Sequence, residues 1–157
     1  MVNVNLQDIA WSNTEYCVMY KISEFTVYCI VIPDRLPPSF NDLINKSLEW
    51  QKNQRRFFQF FISQHCKAIP TSLLAKRSVR IDLFKTGSDD APNLDARSKV
   101  LLDSMKQLAL ITDDNAKYLD WARVWQKKSR PTATVISISE NMSAELLTAC
   151  HVLPEHA

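Results

Sequence analysis

The chain of 157 residues contains a single glycine, Gly87. Phosphate-binding loops of the Rossmann and P-loop kinds need several glycines at fixed offsets, because only glycine lets the backbone turn tightly and approach a phosphate closely. The sequence therefore excludes both of these nucleotide-binding classes, and we expect no nucleotide cofactor.

Length and composition are typical of one globular domain. Hydrophobic residues make up 46% and charged residues 23% of the chain, close to the averages for soluble proteins. The main apolar stretch, 25–32, has the length of a strand and is far shorter than the ~20 residues of a membrane span. The N-terminal residues lack the pattern of a signal peptide, and the four cysteines are widely spaced with no Cys-x-x-Cys pair. We therefore expect a cytoplasmic protein with reduced thiols and no membrane partner.

Charge is distributed unevenly along the sequence. Residues 51–88 contain eight basic residues and one acid, whereas residues 89–120 contain seven acids and four bases. Basic segments beside an acidic one are typical of a metal-dependent nuclease, in which bases attract phosphates and acids hold a divalent metal. A solvated surface with uneven charge is the alternative interpretation.

Hydrophobic periodicity predicts an α/β (α+β) domain, with a mixed sheet packed against a long helix and a second helix. Strands are expected at 16–20, 25–32, 78–84, 118–126 and 133–138, and helices at 43–68 and 96–108. The strand at 78–84 alternates and should have one polar face. Residues 127–131 should form a basic turn. We divide the chain into an N-terminal extension with an extra strand (1–24), a main domain (25–140) and a C-terminal tail (141–157).

Carboxylates and a lysine follow one another in the acidic segment. Asp95, Lys99 and Asp103 are spaced to share one face of a helix. Asp113 and Asp114 come after that helix, whose two ends are about 20 Å apart. The two groups can converge only if Asp114 opens a strand beside the end of the strand at 78–84. The pattern suits a magnesium site that activates water for phosphodiester hydrolysis. Taken alone, however, these residues favour a surface salt-bridge ladder followed by an acidic turn.

The same segment resembles the RusA family of Holliday-junction resolvases. Residues 93–99 (Asn-Leu-Asp-Ala-Arg-Ser-Lys) match the family's block Asp-x-Asp-Asn-x-x-Lys. Residues 103–105 match its helical Asp-Ala-Leu, and Asp113 with Asp114 matches the Asp-Asp pair that follows. A weaker likeness extends over 25–140, from a strand that runs into a Pro-Pro-Ser loop to a final pair of strands.

The resemblance implies a RusA-like homodimer that binds four-way DNA junctions and cuts two strands with Mg²⁺, or with Mn²⁺, in a bacterial cell or phage-infected host. Two symmetric cuts need two sites related by a two-fold axis. Asp95 and Asp114 would bind the metal in the catalytic centre, with Asn93 and Asp113 as further ligands, and Lys99 would stabilise the scissile phosphate. The basic residues that would hold the DNA arms are Lys76, Arg77, Arg80, Arg97, Lys127 and Lys128.

Two positions depart from the family pattern, because Asn93 replaces its first aspartate and Ala96 replaces the asparagine that follows its second. A neutral carboxamide binds Mg²⁺ more weakly than a carboxylate does. Several explanations stay open: Asp89 or Asp90 supplies the missing carboxylate, the protein binds junctions without cutting them, or Asn93 is a substitution that traps an inactive enzyme. The chain is alternatively a phage-type protein-interaction module, in which the residues of the former nuclease site no longer have a catalytic function.

Overall fold

A six-stranded mixed sheet lies at the centre of the computed structural model, which describes residues 3–5, 16–22, 24–67, 69–71, 76–87, 89–113, 115, 117–121, 125–128, 132–140, 143, 147 and 151–153. The strands are β1 (Asn3–Asn5), β2 (Cys17–Ile22), β3 (Phe25–Pro33), β4 (Arg77–Lys85), β5 (Leu119–Trp121), β6 (Trp125–Lys128), β7 (Ala133–Glu140) and β8 (His151–Leu153). The helices are α1 (Phe40–Asn45), α2 (Leu48–His65) and α3 (Ala91–Gln107). The predicted mixed α/β class is confirmed.

The strand order is β2-β3-β7-β4, with β5 and β6 both on the outer edge of β4. Neighbours from β2 to β4 are antiparallel. By contrast, β5 and β6 run parallel to β4, which requires a crossover, and α3 supplies it. β5 pairs with the start of β4, where Val79 lies opposite Trp121, and β6 pairs with its end, where Phe84 lies opposite Lys127. β1 and β8 form a separate parallel pair.

The predicted strands at 16–20 and 25–32 form the antiparallel hairpin β2–β3, with Cys17 opposite Ile30 and Ile22 opposite Phe25. Since β2 hydrogen-bonds along β3, part of the segment that we predicted as an N-terminal extension belongs to the main sheet. Residues Asn3–Asn5 of the same segment pair with His151–Leu153 of the predicted tail.

The predicted long helix at 43–68 is two helices. α1 begins after Ser39, whose hydroxyl accepts from the Asp42 N–H at 3.1 Å while the Asp42 carboxylate accepts from the Ser39 N–H at 3.0 Å. Ser47 then caps α2, and its hydroxyl accepts from the Trp50 N–H at 3.1 Å. Serine favours the cap over the helix interior because its side chain competes for backbone hydrogen bonds. The break between the helices therefore falls at 46–47.

The main hydrophobic core lies between the sheet and helices α2 and α3. Ile30, Ile81 and Ile136 from the three central strands are fully buried there, against Phe58 and Ile62 of α2 and a stripe of α3 (Val100, Leu101 and Met105). Phe58 of α2 belongs to this cluster, and Phe57 and Phe61 pack against it.

The opposite face of the sheet is also buried, and it carries Arg80 and Asp82, the polar face that we predicted for the strand at 78–84. Val27 and Cys29 are fully buried on this face, and Val27 packs against Leu147. Here Arg80 Nε lies 2.9 Å from Asp82 Oδ2, and Arg80 Nη1 donates to the Leu147 carbonyl. The strand can carry two charged side chains inward because they neutralise each other.

Left-handed backbone conformations occur at three described positions. Gly87 has φ 78° in the turn between β4 and α3, and Asp34 and Ala109 have φ 61° and 56°. Glycine and aspartate tolerate this region well, whereas alanine does not. No helix in the described part of the chain is long and apolar enough to cross a membrane.

Candidate functional site

The N-terminus of α3 lies in a network of charged and polar side chains. Asp90 caps the helix, and its Oδ1 accepts from the Asn93 N–H at 3.2 Å. This cap, with Pro92 in the first turn, starts the helix at Ala91 rather than at the predicted residue 96. Asn93 and Asp95 consequently lie in the helix and not in the preceding loop.

Asp89 forms ion pairs with two cations. Its Oδ1 lies 2.7 Å from Lys85 Nζ and its Oδ2 lies 2.7 Å from Arg97 Nε. Burial alone would raise the pKa of Asp89, but the hydrogen bonds from Arg97 and Lys85 outweigh burial and the pKa is lowered. A carboxylate already neutralised by two bases is a poor metal ligand. The hypothesis that Asp89 replaces the missing carboxylate therefore has no support in this geometry.

Asn93 is 9% exposed, and its carboxamide joins two elements. Its Oδ1 accepts from the Asn41 N–H of α1 at 3.0 Å, and its Nδ2 donates to Asp90 Oδ1 at 2.8 Å. The oxygen that we expected to face a metal is thus bonded to the backbone of α1. Asn93 therefore links α1 to the cap of α3.

Arg97 is also directed into the protein. Its Nη1 donates to the carbonyl of Pro37, in addition to the ion pair with Asp89. The side chain is only 10% exposed. Arg97 consequently ties the Pro-Pro-Ser loop to α3, and it is not placed on the surface for the DNA contact that we predicted.

Asp95, Lys99 and Asp103 share the exposed face of α3, as their spacing predicted. Lys99 is 71% exposed, and its Nζ lies 3.9 Å from Asp103 Oδ1. The three residues line a cavity of about 350 Å³, here called the α3 groove, whose other lining residues include Phe40, Leu43 and Arg55. The groove combines carboxylates, two bases and an aromatic ring in one open depression.

Asp113 lies at the other end of α3, where its Oδ1 is 3.6 Å from Lys106 Nζ. Lys106 follows Asp95 by eleven residues, or about 16 Å along the helix axis. β5 begins beside Arg77, at the start of β4, and not beside its end near Phe84. We expected the acidic pair to approach Asp95 only if the next strand began beside the end of β4. Asp113 does not meet this condition, and Asp114 lies outside the described residues.

The other predicted DNA-binding residues occupy contrasting positions. Arg77 is 1% exposed; its Nη1 donates to the Leu110 carbonyl at 2.7 Å, and its Nη2 donates to Pro70 and Glu140. Arg80 is buried against Asp82, so this arrangement does not expose either guanidinium for the DNA contact that we predicted. Lys76 is exposed.

Lys127 and Lys128 lie in strand β6, paired with Phe84 and Lys85, and not in the turn that we predicted. The strand that we predicted to end at Gln126 continues to Lys128. Its described parts, β5 and β6, both pair with β4.

Sequence reasoning did not assign the basic face of α2 or the aromatic wall of the α3 groove to the site. Lys52, Arg55 and Arg56 are exposed on α2, and Arg55 reaches the groove. The excess of bases in residues 51–88 was the available signal for these three. Nothing in the local sequence pointed to Phe40, since its position depends on contacts with α3.

A larger cavity, about 490 Å³, lies at the end of the sheet between β3 and the start of β4. Its charged lining residues include Arg77 and Glu140, whose side chains are bonded to each other. We attribute a structural role to this pair, since Arg77 also holds two loop carbonyls.

The fit of the α3 groove to Mg²⁺ is partial. Among the described residues, no group of three or more His, Cys, Asp or Glu side chains is arranged to hold a metal ion. Mg²⁺ is often held by one or two carboxylates completed by water and substrate phosphate. Asp95 can supply one such carboxylate, so the described residues suit a weak site completed by substrate and not a preformed cage. No protein-family model matches the chain, and no curated protein matches its sequence.

Proposed function

We propose that this protein is a RusA-like endonuclease that binds branched DNA and hydrolyses a phosphodiester with the help of Mg²⁺. One observation carries the proposal: Asp95 and Lys99 lie one helical turn apart on an open groove that Arg55 also lines. A carboxylate, an exposed ammonium and a guanidinium are the groups needed to hold a metal, stabilise phosphoryl charge and grip a backbone phosphate.

In this proposal the groove residues have separate tasks. Asp95 would hold Mg²⁺ together with water and DNA phosphate oxygens, and the ion would supply the activated water. Lys99 would donate to the non-bridging oxygens of the scissile phosphate as negative charge develops there. Asp103 Oδ1 lies 3.9 Å from Lys99 Nζ. Asp103 would hold the Lys99 side chain at the groove until a DNA phosphate takes its place as the partner of Lys99.

The charge of α2 supports binding to DNA. Lys52, Arg55 and Arg56 are all exposed on this helix, which packs beside α3. A cluster of exposed bases beside the groove would hold the phosphates that flank the cleavage point. Binding through these residues should weaken steeply with salt, because each neutralised phosphate releases counterions.

The proposal includes a homodimer acting in the cytoplasm of a bacterial cell or a phage-infected host. A four-way junction has two-fold symmetry, and resolving it needs two equivalent cuts. A two-fold dimer would supply one α3 groove for each cut.

A junction-binding protein without cleavage is the second candidate, and the placement of Asn93 favours it. The Asn93 oxygen is bonded to the Asn41 N–H, and Asp113 lies at the far end of α3. A groove with one metal-binding carboxylate would hold Mg²⁺ weakly, whereas the bases around it would still bind DNA. Cleavage and binding must therefore be measured separately.

The test compares cleavage of a labelled four-way junction in Mg²⁺ with binding of the same junction in EDTA. We expect Asp95→Asn and Lys99→Ala each to lower the cleavage rate about 100-fold or more. Lys67→Ala, at an exposed position outside the groove, serves as the matched control and should cut normally.

Binding without cleavage would establish the second candidate. If the parent did not cut the junction but the Asn93→Asp variant did, the parent would be a nuclease that is inactive because of the asparagine at position 93. If the protein neither cut nor bound the junction, the DNA proposal would be refuted, and the protein-interaction interpretation would take its place.

A further inference from the structure

An aromatic ring is presented at the edge of the α3 groove. Phe40 is the first residue of α1 and is 47% exposed, although it lines the same cavity as Asp95, Lys99 and Arg55. A large apolar side chain that is half exposed within a charged groove has unused contact surface there. The ring is therefore available to a flat partner that enters the groove.

The backbone that carries Phe40 is fixed on both sides. Ser39 before it forms a reciprocal capping box with Asp42. Asn41 after it donates its N–H to Asn93 Oδ1. Arg97 also holds the carbonyl of Pro37, three residues earlier. The two α3 side chains that we expected to contact metal and DNA thus position the start of α1, and little ordering remains to be done when a ligand stacks on the ring.

The charges around Phe40 indicate what kind of partner fits. Among the groove residues, Asp95 and Asp103 offset Arg55 and Lys99. Lys52 and Arg56, exposed on the same helix as Arg55, make the surroundings of the groove basic. A second copy of this chain would bring the same excess of bases, so it offers no complementary charge to Lys52 and Arg56. A polyanion that carries flat apolar groups would be attracted by the bases and stack on the ring, and single-stranded nucleic acid has this chemistry.

We propose that Phe40 is a stacking platform for an unpaired base of DNA, adjacent to the reactive part of the groove. This inference rests on the proposed binding of DNA, and it adds how a branched substrate is selected. Bases in a continuous duplex already have both faces covered by their neighbours, whereas a base at a branch or in a single strand has a face free for the ring.

The experiment measures equilibrium binding in EDTA, so that cleavage plays no part. The probes are a labelled single-stranded oligo(dT) and an abasic strand of the same length and charge. We expect Phe40→Ala to weaken binding of oligo(dT) by roughly 5- to 150-fold, but to change binding of the abasic strand by less than about 2-fold. Phe40→Trp should retain the preference for bases. Phe60→Ala, which removes an exposed ring outside the groove, is the matched control.

Each alternative outcome has a distinct meaning. If Phe40→Ala weakened both probes equally or neither, the stacking platform would be refuted while DNA binding stood. If the parent protein bound the four-way junction but not oligo(dT), the stacking proposal would again fail alone. If the parent bound no DNA at all, the proposed function would fail with it. Should Phe40→Ala convert a dimer to a monomer in sedimentation without affecting either strand, Phe40 would belong to a protein interface instead.

Discussion

Replacing Asn93 by aspartate tests the site directly, because the family pattern and the structure predict opposite effects. By the pattern, Asn93→Asp restores a metal ligand. In the structure, Asn93 Nδ2 donates to Asp90 Oδ1 at 2.8 Å, and aspartate has no hydrogen to donate. The substitution would therefore remove a hydrogen bond and place two carboxylates in contact.

Three contributions determine how much Asn93→Asp changes the free energy of unfolding. Losing a hydrogen bond to a charged acceptor costs about 1.5–3 kcal/mol. Repulsion between the carboxylates adds to this, although water screens it because Asp90 is exposed. The new charge in the first turn of α3 regains about 0.3–1 kcal/mol from the helix dipole. We expect the free energy of unfolding of Asn93→Asp to be about 1–3 kcal/mol lower at pH 7.

Urea denaturation followed by tryptophan fluorescence measures this difference. The penalty should shrink as the pH falls from 7 toward about 4, where carboxylates begin to take up protons. Asn53→Asp, the same charge change at an exposed position of α2, should stay within about 0.5 kcal/mol of the parent.

An Asn93→Asp variant as stable as the parent at pH 7 without divalent ions would refute this account of Asn93. Stabilisation of the variant, but not of the parent, by Mg²⁺ would show that the new carboxylate helps to form a metal site.

Three further predictions concern the interior and use the same denaturation assay or thiol labelling. Arg77→Ala should lower the free energy of unfolding by about 3 kcal/mol, because the buried Leu110 carbonyl and the part-buried Pro70 carbonyl lose their donor; no greater loss than in the exposed control Lys76→Ala would contradict this. Leu101→Ala should cost about 2–5 kcal/mol through the cavity left in the core, and a loss below 1 kcal/mol would mean that α3 packs differently. In a background with Cys17→Ser and Cys150→Ser, the buried thiols of Cys29 and Cys66 should react slowly with an aromatic disulfide at pH 8, since burial raises the pKa of both, that of Cys29 to about 12. For the same reason the free energy of unfolding should fall as pH rises from about 9 to 12, because the unfolded thiol loses its proton first. Rapid native labelling or a flat pH profile would contradict the burial of Cys29.

Elements with a strong period could be predicted from the sequence, and those defined by local caps were predicted less well. The alternation of Val79, Ile81 and Leu83 identified β4, and hydrophobic periodicity identified the residues of α2 as helical. The break before α2 was missed because Ser47 was interpreted as helical when it is a cap. The local hydrophobic pattern indicates which residues can be buried. It does not show whether a single serine lies within a helix or caps one.

Contacts between distant parts of the chain explain the remaining errors. The alternation in β4 predicted its polar face but not the burial of that face, which depends on the pairing of Arg80 with Asp82 and on its hydrogen bond to a carbonyl 67 residues away. At the candidate site, the helical spacing of Asp95 and Lys99 was sufficient to place both in one groove. The position of Asp113 was not predictable in this way, because it depends on where along β4 the next strand pairs.

The turn after α3 keeps its conformation through contacts with other parts of the protein. Ala109 adopts a left-handed conformation that costs an alanine about 1–2 kcal/mol, and local preference alone would select another path. Burial of Leu110 and Ile111, with the hydrogen bond from Arg77 to the Leu110 carbonyl, compensates for it. A peptide of residues 91–113 excised from the protein should therefore lose this turn even where it stays helical, so the end of α3 depends on the sheet for its conformation.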